Sequence, residues 1–282
     1  MSRSAKSASY EQLDWYDAPR YYDAIFDTDT KREADFLEQA LARHAAFEGR
    51  SAPRKSGDQL SVRCLEPACG SGRLMVELGH RGWRCTGFDL SAPMLGFARE
   101  RLDSEGLDGR LFEASMQDFA LPAREQGRFH LAHCLVSTFK YLLNEADAVS
   151  HLKHVARALL PGGIYVLGFH LSDYGDKQPS RERWKAKLGA EEVVCNITGW
   201  PADSKTRRER VRSRLIVKGP RSERRLETNW EFRTYDARQV RRMLRAVPEL
   251  ELVELYDFTY DFNATHRLED EQLDSLLILR RA

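Results

Sequence analysis

The sequence predicts an α/β fold organised on a parallel, nucleotide-type βαβ crevice, with an antiparallel segment inserted late in the chain. Three observations carry this. Ser61 to Met94 reads as strand, glycine turn, helix and strand, with an acid closing the second strand. Strand-length apolar runs then alternate with helical patterns as far as Phe169. From Glu192 to Tyr235 that alternation gives way to a period of two.

The first unit sets the chemistry. Ser61 to Glu66 is a short strand that Pro67 ends. Ala68, Cys69, Gly70, Ser71 and Gly72 are small, which lets the backbone turn sharply and approach a ligand closely. Arg73 to Gly79 has helical spacing, with Leu74, Met75 and Leu78 on one face. Trp83 to Phe88 is the second strand. Asp89 follows about 20 residues after the glycines, where a ribose-binding carboxylate sits in such units. A dinucleotide fingerprint needs a glycine three places after Gly72, and that place is Met75. Glu66 at the start of the turn repels a pyrophosphate and suits a cationic or amine-bearing ligand. Both residues disfavour a dehydrogenase.

Glu66-Pro67-Ala68-Cys69-Gly70-Ser71-Gly72, with Asp89-Leu90-Ser91-Ala92-Pro93-Met94-Leu95, resembles the class I S-adenosylmethionine-dependent methyltransferases. Their pattern is an acid, then G-x-G-x-G, then an acid after the second strand. Ala68 replaces the first glycine, a departure that family members tolerate. The resemblance implies a Rossmann-like seven-stranded mixed sheet with helices on both faces. Residues 1–60 would form a tail, helical flap and linker, and residues 61–171 the cofactor-binding core. Residues 172–235 would be an antiparallel β lid after the fifth strand, and residues 236–282 a helix and strand pair completing the core.

The same resemblance implies S-adenosyl-L-methionine as cofactor and S-adenosyl-L-homocysteine as product. Glu66, Ala68, Cys69, Gly70 and Gly72 would shape the methionine and ribose pocket. Asp89 would bind the ribose hydroxyls, with Leu90 and Met94 against the adenine. Ser115, Met116 and Gln117 would line the adenine side, Ser115 standing where the family usually has an acid. Cys134 and Leu135 would flank the methyl group. Tyr16 and Tyr22 on the flap would place an aromatic face over the sulfonium; the alternative is that they only pack the flap onto the core.

The totals bound the rest. At 282 residues, 42% of them hydrophobic, the chain is one large or two small domains with ample core. A net charge of +1 argues against bulk nucleic acid as a partner. The cysteines at 64, 69, 85, 134 and 195 form no C-x-x-C pair, which suits a reducing cytoplasm rather than a zinc site or disulfide framework. No apolar run approaches the ~20 residues of a spanning helix. Met1 to Ser9 lacks an apolar stretch and reads as a loose tail.

The elements follow in order. Tyr10 to Phe26 reads as one or two short helices broken near Pro19, and Asp35 to Phe47 as a helix with Phe36, Leu37, Ala40, Leu41 and His44 on one face. Gly49 to Gln59 reads as a polar linker. Beyond the first unit come a helix from Ala92 to Leu102, a strand from Leu111 to Glu113, a strand from Arg128 to Leu135, and a helix from Ala146 to Leu160. Pro161-Gly162-Gly163 stops that helix, and Ile164 to Phe169 is the fifth strand. In the insertion, strands are expected at Glu192 to Trp200, Arg208 to Val217 and Leu226 to Tyr235, with Val211, Leu215 and Val217 opposite Arg210, Arg212 and Arg214. Trp230 and Phe232 are expected to face the core. Asp236 to Val247 returns to helix, and Leu250 to Phe258 with Ser275 to Arg280 form the last strand pair.

Methyl transfer is an in-line displacement that needs alignment above all, and a base only where the acceptor arrives protonated. His133 and His170 are the histidines nearest the crevice mouth and the candidate bases. Ser137, Tyr141 and Asp173 are candidate acceptor contacts by location. His151 and His154 are expected on the solvent side of their helix. Pro201 to Arg225 holds ten basic residues against three acidic ones, read as a solvated face paired with Glu227 and Glu231 rather than a nucleic-acid grip. The sequence thus points to an enzyme, monomeric or homodimeric, that methylates N or O of a small molecule. The alternatives are an RNA or protein methyltransferase using the basic insert, and a cofactor-binding protein without catalysis.

Overall fold

A computed structural model describes residues 9–49, 52–56 and 59–282. The described chain opens with strand β1 (Glu11–Gln12), a 3-10 turn at Trp15–Asp17, helix α1 (Pro19–Phe26) and helix α2 (Thr30–His44). Pro19 starts α1 rather than breaking a helix, because its fixed φ and missing N–H suit the first helical position. Helix α2 begins before the apolar period shows, since its first turn is polar. Within the expected linker, β2 (Arg54–Ser56) and β3 (Gln59–Ser61) pair antiparallel. Residues 50, 51, 57 and 58 of that linker, and residues 1–8 of the expected tail, lie outside the described residues.

The core follows as β4 (Arg63–Pro67), α3 (Arg73–His80), β5 (Arg84–Asp89), α4 (Ala92–Ser104), β6 (Arg110–Glu113), β7 (Phe129–Cys134), α5 (Glu145–Ala158) and β8 (Leu159–His170). A second sheet adds β9 (Ser180–Leu188), β10 (Glu191–Gly199), β11 (Arg208–Lys218) and β12 (Glu223–Arg233). Helix α6 (Ala237–Arg245), β13 (Leu250–Tyr256) and β14 (Asp274–Arg281) end the chain.

The main sheet has seven strands in the order β13-β14-β8-β7-β4-β5-β6. Strands β6, β5, β4, β7 and β8 are parallel, and β14 runs antiparallel to both its neighbours. Strand order reverses at β4, which lies between β5 and β7, so the crevice opens beyond the carboxyl ends of β4 and β7. The sheet is buried on both faces. Every residue of β7 is buried, with Phe129 and Leu131 in clusters on opposite faces.

Pro161-Gly162-Gly163 does not end an element. Strand β8 starts at Leu159, directly after α5, and a register shift against Phe129 and Leu131 absorbs the extra residues. Gly162 has φ +77°, and a Cβ there would lie 2.0 Å from the Ala46 carbonyl oxygen. The bulge docks the segment after α2, since Ala46 N–H donates to Gly162 O at 2.9 Å.

His151 is not on the solvent side of α5. It is fully buried, with Nδ1 3.0 Å from the Met116 carbonyl and Nε2 2.7 Å from the Tyr165 hydroxyl. It shares the inward stripe with Ala148 and Val155, and a polar group there is tolerated because both ring nitrogens are partnered.

The second sheet has the order β1-β12-β11-β10-β9. Strand β9 escaped the sequence reading because it is an edge strand, charged at most positions and exposed along most of its length. Strand β1 lies in a stretch that reads as helix, yet it pairs parallel with β12 through Glu11–Leu226 and Gln12–Glu227. The inner face of β11 carries Val211, Ser213, Leu215 and Val217, all buried. The opposite face is cross-paired, with Arg214 2.6 Å from Glu227 and Arg208 3.7 Å from Glu231.

Gly162→Ala is expected to lower unfolding stability by at least about 2 kcal/mol, since it combines a forbidden φ with a backbone clash. Urea denaturation of the purified variant checks this; stability equal to wild type would show that the Ala46 docking is not built as described.

Candidate active site

The site starts from the turn between β4 and α3. Ala68, Gly70 and Gly72 take φ of 53°, 52° and 70°. Left-handed residues at alternate positions wind the backbone tightly enough to bring Gly70 N–H within 2.9 Å of Asp89 Oδ2. Asp89 Oδ1 accepts from Ser91 N–H at 2.9 Å. One carboxylate at the end of β5 therefore ties the glycine turn to the start of α4. Burial pushes the Asp89 carboxyl up, against the lowering effect of its bonds from Ser91, Gly70 and Leu90. A Cβ at Gly72 would stand 2.9 Å from that of Ala98, so glycine is what lets α3 approach α4. Met75 fills the space above Gly87, where a Cβ would meet its sulfur at 2.5 Å.

Glu66, next to last in β4, lies beneath this turn and is 9% exposed. Its Oε2 has no hydrogen-bond partner. Beside it, the Nε2 of His133 is also without one, at 3.9 Å. Burial pushes the Glu66 carboxyl up to about 8, with Arg73 partly offsetting it. Burial and the Arg73 charge push His133 down to about 3. At neutral pH both groups are uncharged, and a polar pair is left buried without full satisfaction. A ligand bearing an ammonium answers that deficit, because it gives Glu66 a donor and a counter-charge. Arg73 lines the same cavity and is held by Glu33 and by the Thr30 hydroxyl at 2.9 Å. Above Gly70 no atom lies within 4 Å of an added Cβ, so the backbone there is open to a ligand.

These groups line one cavity of about 750 Å³, within the range of small-molecule sites. The N-terminal segment gives it Trp15, Tyr16 and Tyr22, and the second sheet gives it Trp200, Val211, Trp230 and Phe232. Trp230 packs against the hydrophobic cluster of the second sheet, as expected, and with Phe232 it also lines the cavity, because the inner surface of β12 overhangs the crevice. Tyr16 and Tyr141 meet hydroxyl to hydroxyl at 2.9 Å, and burial raises both well above the ordinary phenol range. Burial also pushes Tyr22 up to about 12. Lys140, buried on the 3-10 turn Thr138–Tyr141, reaches across to Glu209 of β11 at 3.0 Å. At the mouth, His170 Nδ1 lies 2.8 Å from Asp274 Oδ1.

Of the residues singled out by the sequence, Tyr16, Tyr22, Glu66, Ala68, Cys69, Gly70, His133, Cys134, Leu135, Ser137, Tyr141, His170 and Asp173 line this cavity. Gly72, Asp89, Leu90, Met94, Ser115, Met116 and Gln117 are not in its lining. Leu90 is 67% exposed, Met94 is fully buried against the core, and the Met116 carbonyl faces His151. Ser115 bridges to Asp118. Trp15, Arg73, Lys140, Glu209 and Asp274 line it without having been singled out. Only the tertiary fold brings them together. Glu209 is 69 residues from Lys140, and Asp274 is 104 from His170.

At the end of β7, Val136 and Ser137 both adopt left-handed φ, 57° and 67°. Two consecutive non-glycine residues there are costly, and Val is β-branched. Ser137 N–H donating to Gly168 O at 3.0 Å, and His170 N–H donating to Ser137 Oγ at 3.2 Å, hold the pair in place. Among the described residues no cluster of His, Cys, Asp and Glu is arranged to hold a metal ion, and no helix is long and apolar enough to cross a membrane.

Comparison with known proteins agrees with this geometry. Residues 64–163 match the family model described as a methyltransferase domain. A dTDP-3-amino-3,6-dideoxy-alpha-D-glucopyranose N,N-dimethyltransferase of Streptomyces fradiae is 32% identical over 139 residues, 49% of this chain and 46% of that protein. A ubiquinone biosynthesis O-methyltransferase of Aromatoleum aromaticum is 33% identical over 101 residues, 36% of this chain and 41% of that protein. The matched part thus spans less than half the length of each of these relatives. The crystal structure of an S-adenosylmethionine-dependent methyltransferase from Clostridium acetobutylicum superposes with a TM-score of 0.69 at 20% identity, covering 92% of this chain and 95% of that one. That likeness spans nearly the whole fold.

The raised carboxyl of Glu66 makes ligand-free stability pH-dependent. An unfolded glutamate ionises near 4.5 and the folded one near 8. The unfolded chain therefore gains a charge that the folded one resists, and stability falls as pH rises through that window, by a few kcal/mol in all. Glu66→Gln is expected to lose this slope, so that its stability relative to wild type improves between pH 5 and pH 8. Urea melts at the two pH values test it, and parallel slopes would refute the burial of a neutral Glu66.

Proposed function

We propose that this chain, whose residues 64–163 match a methyltransferase domain model, transfers a methyl group from S-adenosylmethionine to N or O of a small-molecule acceptor. The observation that carries the reading is the unsatisfied Glu66 oxygen under an open glycine turn, inside an aromatic-roofed cavity. Bound there, the cofactor supplies a methyl group on a cationic sulfonium. Glu66 takes its ammonium and Arg73 its carboxylate, each group having the complementary charge. Asp89 accepts from the ribose hydroxyls, and Ala68, Cys69, Gly70 and Gly72 keep the turn close enough for that contact. Leu90, an exposed apolar side chain at the end of β5, covers one face of the adenine above the buried Met94. Ser115, Met116 and Gln117 border the other side. Tyr16 and Tyr22 turn aromatic faces toward the sulfonium.

Cys134 and Leu135 set the wall behind the methyl, and the strained Val136–Ser137 pair fixes where that wall ends. Alignment supplies most of the rate. Of the two candidate histidines, His133 is pushed too low to hold a proton at neutral pH. His170 donates its Nδ1 proton to Asp274, which leaves Nε2 to accept one from the acceptor. Ser137, Tyr141 and Asp173 lie on the acceptor side. Residues 172–235 act as the lid, and the helices α1 and α2 within residues 1–60 as the flap, over the core of residues 61–171 completed by residues 236–282. The buried free cysteines fit work in a reducing compartment, the cytoplasm, as a monomer or homodimer. A polynucleotide acceptor is disfavoured, because Arg208, Arg212 and Arg214 are each opposed by a glutamate across the strand pair.

Calorimetric titration with S-adenosylmethionine, S-adenosylhomocysteine and NAD is the test. Micromolar binding of the adenosyl ligands and none of NAD is expected, with Asp89→Ala weakening it by about 1–3 kcal/mol through stranded ribose hydroxyls. Because Glu66 ionises on meeting the ammonium, binding at pH 7 is expected to release close to one proton, read from the buffer dependence of the enthalpy, and Glu66→Gln to release none. NAD binding alone, or an unaltered affinity in Asp89→Ala, would overturn the assignment.

A further inference from the structure

The charge of the cavity is unlike the charge of the chain. The protein as a whole carries +1, yet nine acidic side chains line the cavity against one arginine and one lysine. Both cations are already matched: Arg73 by Glu33, and Lys140 by Glu209 at 3.0 Å. The arginines of β11 do not change this balance. Strand alternation points Glu209 and Val211 at the cavity and turns Arg210, Arg212 and Arg214 to the opposite face. Arg210 and Arg212 lie against the Trp200 ring, at 5.5 and 5.2 Å from its centre.

Apart from Asp29 and Glu66 on the flap side, the acids that no cation matches among the described residues gather on the acceptor side. Asp173 and Asp176, in the segment between β8 and β9, accept only from the backbone N–H groups of Gly175 and Gln178. Glu182 on β9 accepts only from the Trp184 indole, at 3.2 Å. None of the three has a cation within salt-bridge reach among the described residues. Trp184 stands with them in the lining, whereas the Trp200 ring is already met by Arg210 and Arg212. Acids interleaved with aromatic faces attract an organic cation by both Coulomb and cation–π forces, and repel a phosphate.

We infer that the acceptor is a cationic amine without a phosphate: a primary or secondary amine that enters as an ammonium, steered by Asp173, Asp176 and Glu182. This rests on the methyl-transfer reading and narrows its acceptor class. The ammonium first gives its proton to His170 Nε2. The freed nitrogen lone pair then forms the N–C bond as the C–S bond of S-adenosylmethionine breaks, with that electron pair staying on sulfur.

The experiment uses the full chain with S-adenosylmethionine and follows S-adenosylhomocysteine release at neutral pH. The acceptor panel comprises free amino sugars, polyamines and arylalkylamines, nucleoside-diphosphate amino sugars, and catechols. Turnover confined to the free amines, or at least about tenfold higher in kcat/KM with them, is expected. Preference for the diphosphates or the catechols, or no turnover with any amine while the cofactor binds, overturns the inference. The triple variant Asp173→Asn, Asp176→Asn, Glu182→Gln is expected to raise the amine KM about tenfold with kcat nearly unchanged, an effect that shrinks in high salt. Its S-adenosylhomocysteine affinity should match wild type, which separates charge loss from misfolding. An unaltered KM would exclude these acids. Failure of wild type to bind either adenosyl ligand would instead sink the methyl-transfer reading itself.

Discussion

The site depends on one carboxylate accepting two backbone bonds. Asp89 holds Gly70 N–H with one oxygen and Ser91 N–H with the other, and so spans the gap between the β4–α3 turn and the start of α4. Those bonds set the mouth of the crevice at the point where strand order reverses. The left-handed Ala68, Gly70 and Gly72 make the turn short enough for the first bond to form. Ser91 in turn caps α4, its hydroxyl accepting from Met94 N–H at 3.2 Å. Loss of that carboxylate would loosen the turn and the helix start together.

Around this fixed floor the cavity divides by chemistry. On the flap side, Arg73 stands among the buried acids Glu33 and Glu66. On the side of the second sheet, indoles stand beside carboxylates that no cation matches among the described residues. The strained Val136–Ser137 pair sits on the boundary. Strain is tolerated there because the surrounding sheet leaves the backbone no alternative, and Gly168 and His170 each supply a bond that the strained conformation requires.

Much of the core was legible in the sequence because its signals are local. The glycine turn, Asp89 at the end of a strand, and the period of Leu74, Met75 and Leu78 are each contained within a few residues. The parallel strands are buried on both faces and read as apolar runs. Legibility failed where long-range contacts decide. Strand β9 is an edge that faces solvent, so its charged sequence hides it. His151 looks like a surface residue until Met116 and Tyr165 are placed around it. Pro161-Gly162-Gly163 carries the composition of a stop, but it is a bulge whose purpose is set by Ala46. Of the site, the turn could be read directly. Lys140 with Glu209 and His170 with Asp274 could not, since each pair joins distant parts of the chain.

Strand β1 gives the two covers of the site a common hinge line. It adds the N-terminal segment to the edge of the lid sheet, with Leu13 N–H donating to Glu227 O at 3.1 Å and the Thr228 hydroxyl donating to Leu13 O at 2.5 Å. Trp15 and Trp230 then pack across the seam with ring centres 4.6 Å apart. Neither cover can swing without dragging the other or breaking that seam. Opening the cavity from either side is therefore one mechanical event, and whatever enters it passes through a single door.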